Sequence, residues 1–224
     1  MYKRQLASLG INKNDEVILP NLTFISPVNA AIYLGAKPVL VDVDENNLCL
    51  DPKKVERAIT KKTKAIVLVY LYGHGCDVEK IIKIIKKHKI FLVEDCAEGM
   101  GTYCKNRHVG NFGDASTFSF FGNKTITTGE GGMVCFKKRK FYEVARKLRD
   151  HGMSLKKRYW HDLIGFNYRM TNLQAAVGLA QMERLKFFLD QKKKMAKKYR
   201  HYLNGNDKVY FLSLIHISEP TRQD

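Results

Sequence analysis

Short apolar runs alternate with helical patterns from Glu16 to Val93, and that alternation restricts the chain to a narrow group of folds. Residues 17–19, 38–43, 65–71 and 90–93 read as strands. A helix over residues 27–34, stopped by Gly35, joins the first two. Asp51 and Pro52 supply an N-cap and a first-turn proline for a second helix through Ile59. Asp77 caps a third, in which Val78, Ile81, Ile82 and Ile85 recur on one face while Lys80, Lys83, Lys86 and Lys87 take the other. Strands this apolar are covered on both faces, and strand–helix–strand units align them in parallel. The expected fold is therefore α/β, a mostly parallel open sheet with helices on both faces. Ligands of such sheets collect at the carboxyl ends of the strands.

Two strand ends carry groups capable of chemistry. Residues 115–121 form a further β-prone run, and Gly122 and Asn123 break it, so Lys124 is delivered on a tight turn. Residues 125–128 lead into Gly129-Glu130-Gly131-Gly132, where backbone can approach a ligand or another chain closely, and residues 133–136 make another strand. A desolvated lysine is a nucleophile able to form a Schiff base, whereas most lysines are solvated surface charges. Ser116, Thr117 and Ser119 precede it as candidate donors to phosphate oxygens. The second strand end is Glu94-Asp95-Cys96-Ala97-Glu98, directly after residues 91–93. A buried carboxylate at Asp95, facing a pyridine nitrogen, would keep that nitrogen protonated and make the ring an electron sink. The plain alternative is a solvated acid at a strand end.

Composition excludes several other classes. The 224 residues are 45% hydrophobic and 27% charged, which suits a globular chain with a sizeable core. No apolar run approaches the roughly 20 residues of a membrane span, and no secretory signal opens the chain, so a cytoplasmic location is expected. The five cysteines are odd in number and include no Cys-x-x-Cys pair, which suits reduced thiols. His74 and Cys76 lack a second pair of ligands for zinc, and no metal is expected. A net charge of +17 favours anionic partners: nucleic acid, an anionic membrane surface or a small phosphorylated substrate. No recognised nucleic-acid module is present, nor a glycine fingerprint for nicotinamide or ATP, so specific nucleic-acid binding is not expected.

Residues 140–150 read as a helix, followed by an irregular aromatic connector with Tyr159-Trp160-His161 and residues 165–172. Thr171 or Asn172 caps a long helix from Leu173 towards Leu203, apolar in its first half and lysine-rich in its second. Residues 6–190 are expected to form one large domain, and 191–212 to begin a helix leading to a further domain. Residues 1–5 and 213–224 continue no neighbouring pattern and read as added, non-native sequence.

Taken in order, these blocks resemble the DegT/DnrJ/EryC1/StrS family of pyridoxal-phosphate-dependent sugar aminotransferases, within the fold type I aminotransferases. The resemblance runs from Asp15 to about Asp190. It rests on residues 15–20 with Thr23 and Phe24, on 35–39 and 41–44, on 70–74, on 94–98, on 118–132 and on 165–172. It implies that Lys124 holds the cofactor as a Schiff base, that Asp95 pairs with its pyridinium nitrogen, and that Phe24 stacks on its ring. It further implies that Ser119 binds the phosphate and that Glu98 lies near the ring oxygen. Asn167 resembles a residue that reaches the phosphate in a neighbouring subunit, which implies a homodimer with shared active sites. Residues 122–132, 150–153 and 158–161 look most like the perosamine synthase branch, which implies amino transfer, with glutamate as donor, to GDP-linked 4-keto-6-deoxymannose in surface-polysaccharide biosynthesis such as that of O-antigen. Relatives that dehydrate the sugar carry histidine where this chain has Lys124. The family's small-residue phosphate loop before Leu6 and its C-terminal domain are departures, so the chain alone is expected to be truncated at both ends and deficient in activity. The alternative reading is a non-catalytic regulator or partner-binding protein that keeps the fold.

Overall fold

The computed structural model describes residues 2–212. Strands β1 (Glu16–Pro20), β2 (Lys37–Val41), β3 (Thr63–Val69) and β4 (Phe91–Asp95) align in parallel, with β1 between β2 and β3. Two strands of a small antiparallel hairpin follow, β5 (Tyr103–Cys104) and β6 (Arg107–His108). Strand β7 (Ala115–Ser119) then joins β4 in parallel, and β8 (Gly132–Phe136) closes the six-stranded sheet antiparallel to β7.

Because side chains alternate across a strand, the buried residues divide into two cores. Ile18, Ile66, Leu68 and Leu92 meet Val55 of helix α3 (Pro52–Ala58) and Val78, Ile81 and Ile84 of α4 (Val78–His88) on one face. Val17, Leu19, Ala65, Val67 and Val93 meet the other. There they pack against Leu6 of α1 (Tyr2–Ser8), Ala30 and Ala31 of α2 (Ser26–Tyr33) and Phe141 of α5 (Arg139–Arg149). The caps act where the sequence placed them: Asp51 accepts from the Lys53 N–H, and Asp77 from the Lys80 N–H at 3.2 Å.

Several boundaries differ from the sequence reading, and among them β2 ends at Val41, two residues before the expected 43. Strand β3 stops at Val69, and residues 71–73 turn in a short 3-10 segment with Tyr72 at φ 53°. Strand β7 stops at Ser119, two residues early. The single long helix is two, α6 (Asn172–Glu183) and α7 (Leu185–Leu203). No proline or glycine forces that break; the Arg184 N–H bonds three residues back to the Gln181 carbonyl, the tight ending common at helix termini. Finally, residues 1–5 were set apart from the fold, yet α1 starts at Tyr2, with Gln5 and Leu6 buried. The expectation for residues 213–224 falls outside the described residues. No helix among the described residues is long and apolar enough to cross a membrane.

Candidate active site

A cavity of about 700 Å³ opens at the carboxyl ends of β3, β4 and β7. Phe24, Asp95, Glu98, Ser119 and Lys124 all line it. Lys124 enters on a turn in which its own N–H bonds to the Phe121 carbonyl at 3.0 Å. Its amine lies 3.2 Å from Glu98 Oε1, and both side chains are half-buried. The other oxygen, Glu98 Oε2, accepts from the Tyr72 N–H at 2.7 Å, so one carboxylate ties the left-handed backbone at Tyr72 to the lysine. Asp95 is only 3% exposed although it lines the cavity. Its Oδ1 accepts from the Ala97 N–H at 3.0 Å and lies 3.5 Å from the Thr117 hydroxyl. These contacts keep the carboxylate in place at the cavity wall, where it is the candidate partner for a cationic ring nitrogen.

Glu94 points to the opposite side of β4 and does structural work. It accepts from the Tyr70 hydroxyl and from the N–H groups of Gly110, Phe112 and Gly113. Burial, first of all, and the neighbouring Cys76 and Glu94 push the Tyr70 phenol up, so it stays protonated as a donor. Burial beside Glu94 and Asp95 likewise pushes the Cys96 thiol up and keeps it inert.

Of the three hydroxyls expected to meet a phosphate, only Ser119 reaches the cavity. Thr117 turns towards Asp95, and Ser116 is buried in the sheet. Phe24 is 74% exposed, so its ring is free to cover a flat ligand at the cavity wall. Asn167 is exposed, pairs its backbone with Asp150 and does not line this cavity. Its neighbour Tyr168 does. The sequence reading also missed Ser26, Asn29 and Tyr33, which line the cavity from α2. Their spacing of three and four residues places them on one helical face, a polar stripe that was legible in the sequence. Among the described residues, no group of three or more histidine, cysteine or acidic side chains is placed to hold a metal, and all five cysteines are free.

The profile of the DegT/DnrJ/EryC1/StrS aminotransferase family matches residues 3–221. The chain belongs to that family. It is 48% identical over 205 residues to a GDP-perosamine synthase of Escherichia coli O157:H7, covering 92% of this chain and 56% of the relative. A GDP-perosamine synthase of Caulobacter vibrioides is 49% identical over 180 residues, 80% of this chain and 48% of that protein. The chain thus spans about half the length of the curated relatives it matches. Among solved structures, the PLP form of Spr1654 from Streptococcus pneumoniae superposes with a TM-score of 0.85 at 28% identity, over 91% of this chain and 57% of that one. The family is one of pyridoxal-phosphate-dependent aminotransferases, and the fold is that of the type I enzymes.

Proposed function

We propose that this chain carries the cofactor-binding part of an aminotransferase that moves an amino group from an amino acid, L-glutamate by preference, to a nucleotide-linked 4-keto-6-deoxy sugar. The observation that carries this reading is the meeting of Lys124, Glu98 and the buried Asp95 in one cavity at the strand ends. The likeness to GDP-perosamine synthases supports GDP-4-keto-6-deoxymannose as the acceptor and GDP-perosamine as the product.

When bound, pyridoxal phosphate supplies an aldehyde that takes up the amino group and a ring that withdraws electrons from the neighbouring carbon. Lys124 provides the amine that holds it and, once released, the base that moves a proton at the reacting carbon. Glu98 sits within reach of that amine and steadies its position. Asp95 holds the ring nitrogen's proton, Phe24 covers the ring face and Ser119 donates to the phosphate. Asn167, being exposed and outside the cavity of its own chain, is assigned to the phosphate of a neighbouring subunit in a homodimer. Five free thiols and a nucleotide-linked substrate suit a cytoplasmic reaction.

Mixing the chain with pyridoxal phosphate, reducing with borohydride and mapping the peptides by mass tests the site. Modification at Lys124, absent in Lys124→Ala, is expected. Modification spread over surface lysines with none preferred would refute the assignment.

A further inference from the structure

Residues 151–165 leave the body of the fold and return as a hairpin. Its root depends on two glycines in contact. A Cβ on Gly152 would lie 1.7 Å from the Leu163 carbonyl oxygen, and one on Gly165 would lie 2.0 Å from the Gly152 nitrogen. The His151 N–H bonds to the Phe166 carbonyl and the Asp162 N–H to the Gly152 carbonyl, both at 2.9 Å, while Lys147 pairs with Asp162. Further out, Met153 bridges His161, and the Ser154 N–H bonds to the Trp160 carbonyl at 2.7 Å. Residues 155–160 therefore make the tip.

That tip concentrates three cations and two aromatic rings. Lys157 Nζ lies 4.5 Å from the centre of the Trp160 ring, and the Arg158 guanidinium 4.9 Å from that of Tyr159. Trp160 is 56% exposed and Tyr159 73%. Tyr159 is held in the left-handed region at φ 60°, a conformation that a bulky side chain adopts only under local constraint. Lys156, Lys157 and Arg158 enter none of the described ion pairs, and the one acid of the hairpin, Asp162, is taken by Lys147 at the root. A cation cluster alone would read as a solvated surface. Here each of two cations lies over a flat exposed ring, and the pairing matches a ligand that joins a planar base to adjacent phosphates: bases stack on aromatic faces, and phosphate oxygens take charge-assisted bonds from lysine and arginine.

We propose that the tip, residues 155–160, binds the nucleoside diphosphate end of the substrate. The base stacks on Trp160 or Tyr159, and the diphosphate lies on Lys156, Lys157 and Arg158. The hairpin returns within three residues of Gly165 to Tyr168, which lines the cavity, so the tip and the catalytic wall lie on one short stretch of chain. This inference rests on the reading that the substrate is nucleotide-linked.

Trp160 is the only tryptophan of the chain, so its fluorescence reports the tip alone. GDP is titrated into the 224-residue chain without cofactor, beside GDP-mannose, inorganic pyrophosphate and a single-stranded oligonucleotide. Saturable quenching by GDP and GDP-mannose is expected, with pyrophosphate competing but quenching little. The exposed double substitution Lys157→Ala with Arg158→Ala keeps the reporter and is expected to weaken GDP binding by about tenfold or more, as the loss of charge-assisted bonds implies. Circular dichroism of the double variant checks that the fold is kept. Quenching that does not saturate, or an affinity unchanged in the folded double variant, would overturn the proposal. Binding of GDP without GDP-mannose, or a preference for the oligonucleotide at equal phosphate concentration, would overturn it too. Borohydride fixation at Lys124 is scored separately: fixation without quenching refutes the hairpin assignment alone, and quenching without fixation supports the hairpin and refutes the lysine site.

Discussion

Replacing Glu94 by glutamine has an effect whose size can be worked out atom by atom. Glu94 is fully buried, and its Oε1 accepts from the Tyr70 hydroxyl and the Gly110 N–H, both at 2.7 Å. Its Oε2 accepts from the N–H groups of Phe112 at 2.8 Å and Gly113 at 2.6 Å. A glutamine keeps one acceptor oxygen. Its better orientation gives that oxygen to Phe112 and Gly113 and turns the amide towards Tyr70, whose hydroxyl can accept as well as donate. The Gly110 N–H then faces another N–H. A buried donor without a partner costs about 1–3 kcal/mol, and the retained bonds lose their charge assistance, so Glu94→Gln should lower the unfolding free energy by about 2–4 kcal/mol. Glu94→Ala orphans every donor and leaves a void, which should cost more than about 4 kcal/mol. Tyr70→Phe keeps three donors on the carboxylate and should cost about 1–2 kcal/mol. Urea unfolding followed by far-ultraviolet circular dichroism measures all three, and with an m-value of about 2 kcal/mol/M the glutamine variant should lose about 1–2 M in midpoint. A loss below about 0.3 M at unchanged m-value would mean that these bonds do not hold residues 109–113 in place.

Cys135 is the one exposed cysteine, with its thiol pushed up by partial burial, so the native chain should take up one equivalent of a thiol reagent, at Cys135 and faster as the pH rises, and five after denaturation; peptide mapping checks this, and early labelling of Cys96 would contradict its burial. Burial pushes the Cys104 thiol up to about 11, so the folded state keeps a proton that the unfolded chain releases from about pH 8.5. Its contribution should be fully present below about pH 8.5 and fade towards about pH 11, so the wild-type urea midpoint should fall more between pH 8 and pH 10.5 than that of Cys104→Ala. A Cβ on Gly178 would lie 2.9 Å from Thr128 Cγ2, so Gly178→Ala should destabilise by about 1–2 kcal/mol despite alanine's better helix propensity, and Thr128→Ser should restore most of the loss. Thermal unfolding of the single and double variants separates that contact from a general helix effect.

The sheet was legible because β1, β3 and β4 are apolar on both faces and their crossover helices carry explicit caps at Asp51 and Asp77. What periodicity could not show was where each strand yields to its turn. The Tyr70 N–H makes the last ladder bond, to the Asp95 carbonyl, and beyond it residues 71–73 wind into a 3-10 turn that no local sequence marker announces. The antiparallel sense of β8 follows from the compact return between Ser119 and Gly132, in which Ile126 is buried and the Thr128 N–H bonds to Phe120. In the candidate site, Lys124 and Asp95 were readable as a lysine and an acid at strand ends. Ser116, Thr117 and Ser119 looked equivalent in sequence, but strand alternation and the end of β7 leave only Ser119 at the cavity.

The segment that follows Lys124 is held against α6 by polar contacts. Thr171 caps α6 through a reciprocal pair with Gln174, whose Oε1 accepts from the Thr171 N–H at 3.0 Å. The amide nitrogen of that same Gln174 donates to the Glu130 carbonyl at 3.1 Å, and Gln181, two turns on, reaches the Thr127 N–H. Gly131 takes φ 147°, and a Cβ there would lie 2.6 Å from the Thr128 hydroxyl and 2.9 Å from Met170 Cε, so the turn closes on itself only without a side chain at this position. Helix α6 has no buried residue of its own, and its described contribution to the site is made through these polar contacts and the Gly178 approach. The segment after the lysine is therefore anchored to α6 at Thr127, Thr128 and Glu130, with Gly178 of the helix rather than the glycine run making the close approach, and those anchors follow directly on Lys124, whose amine meets Glu98 at the cavity.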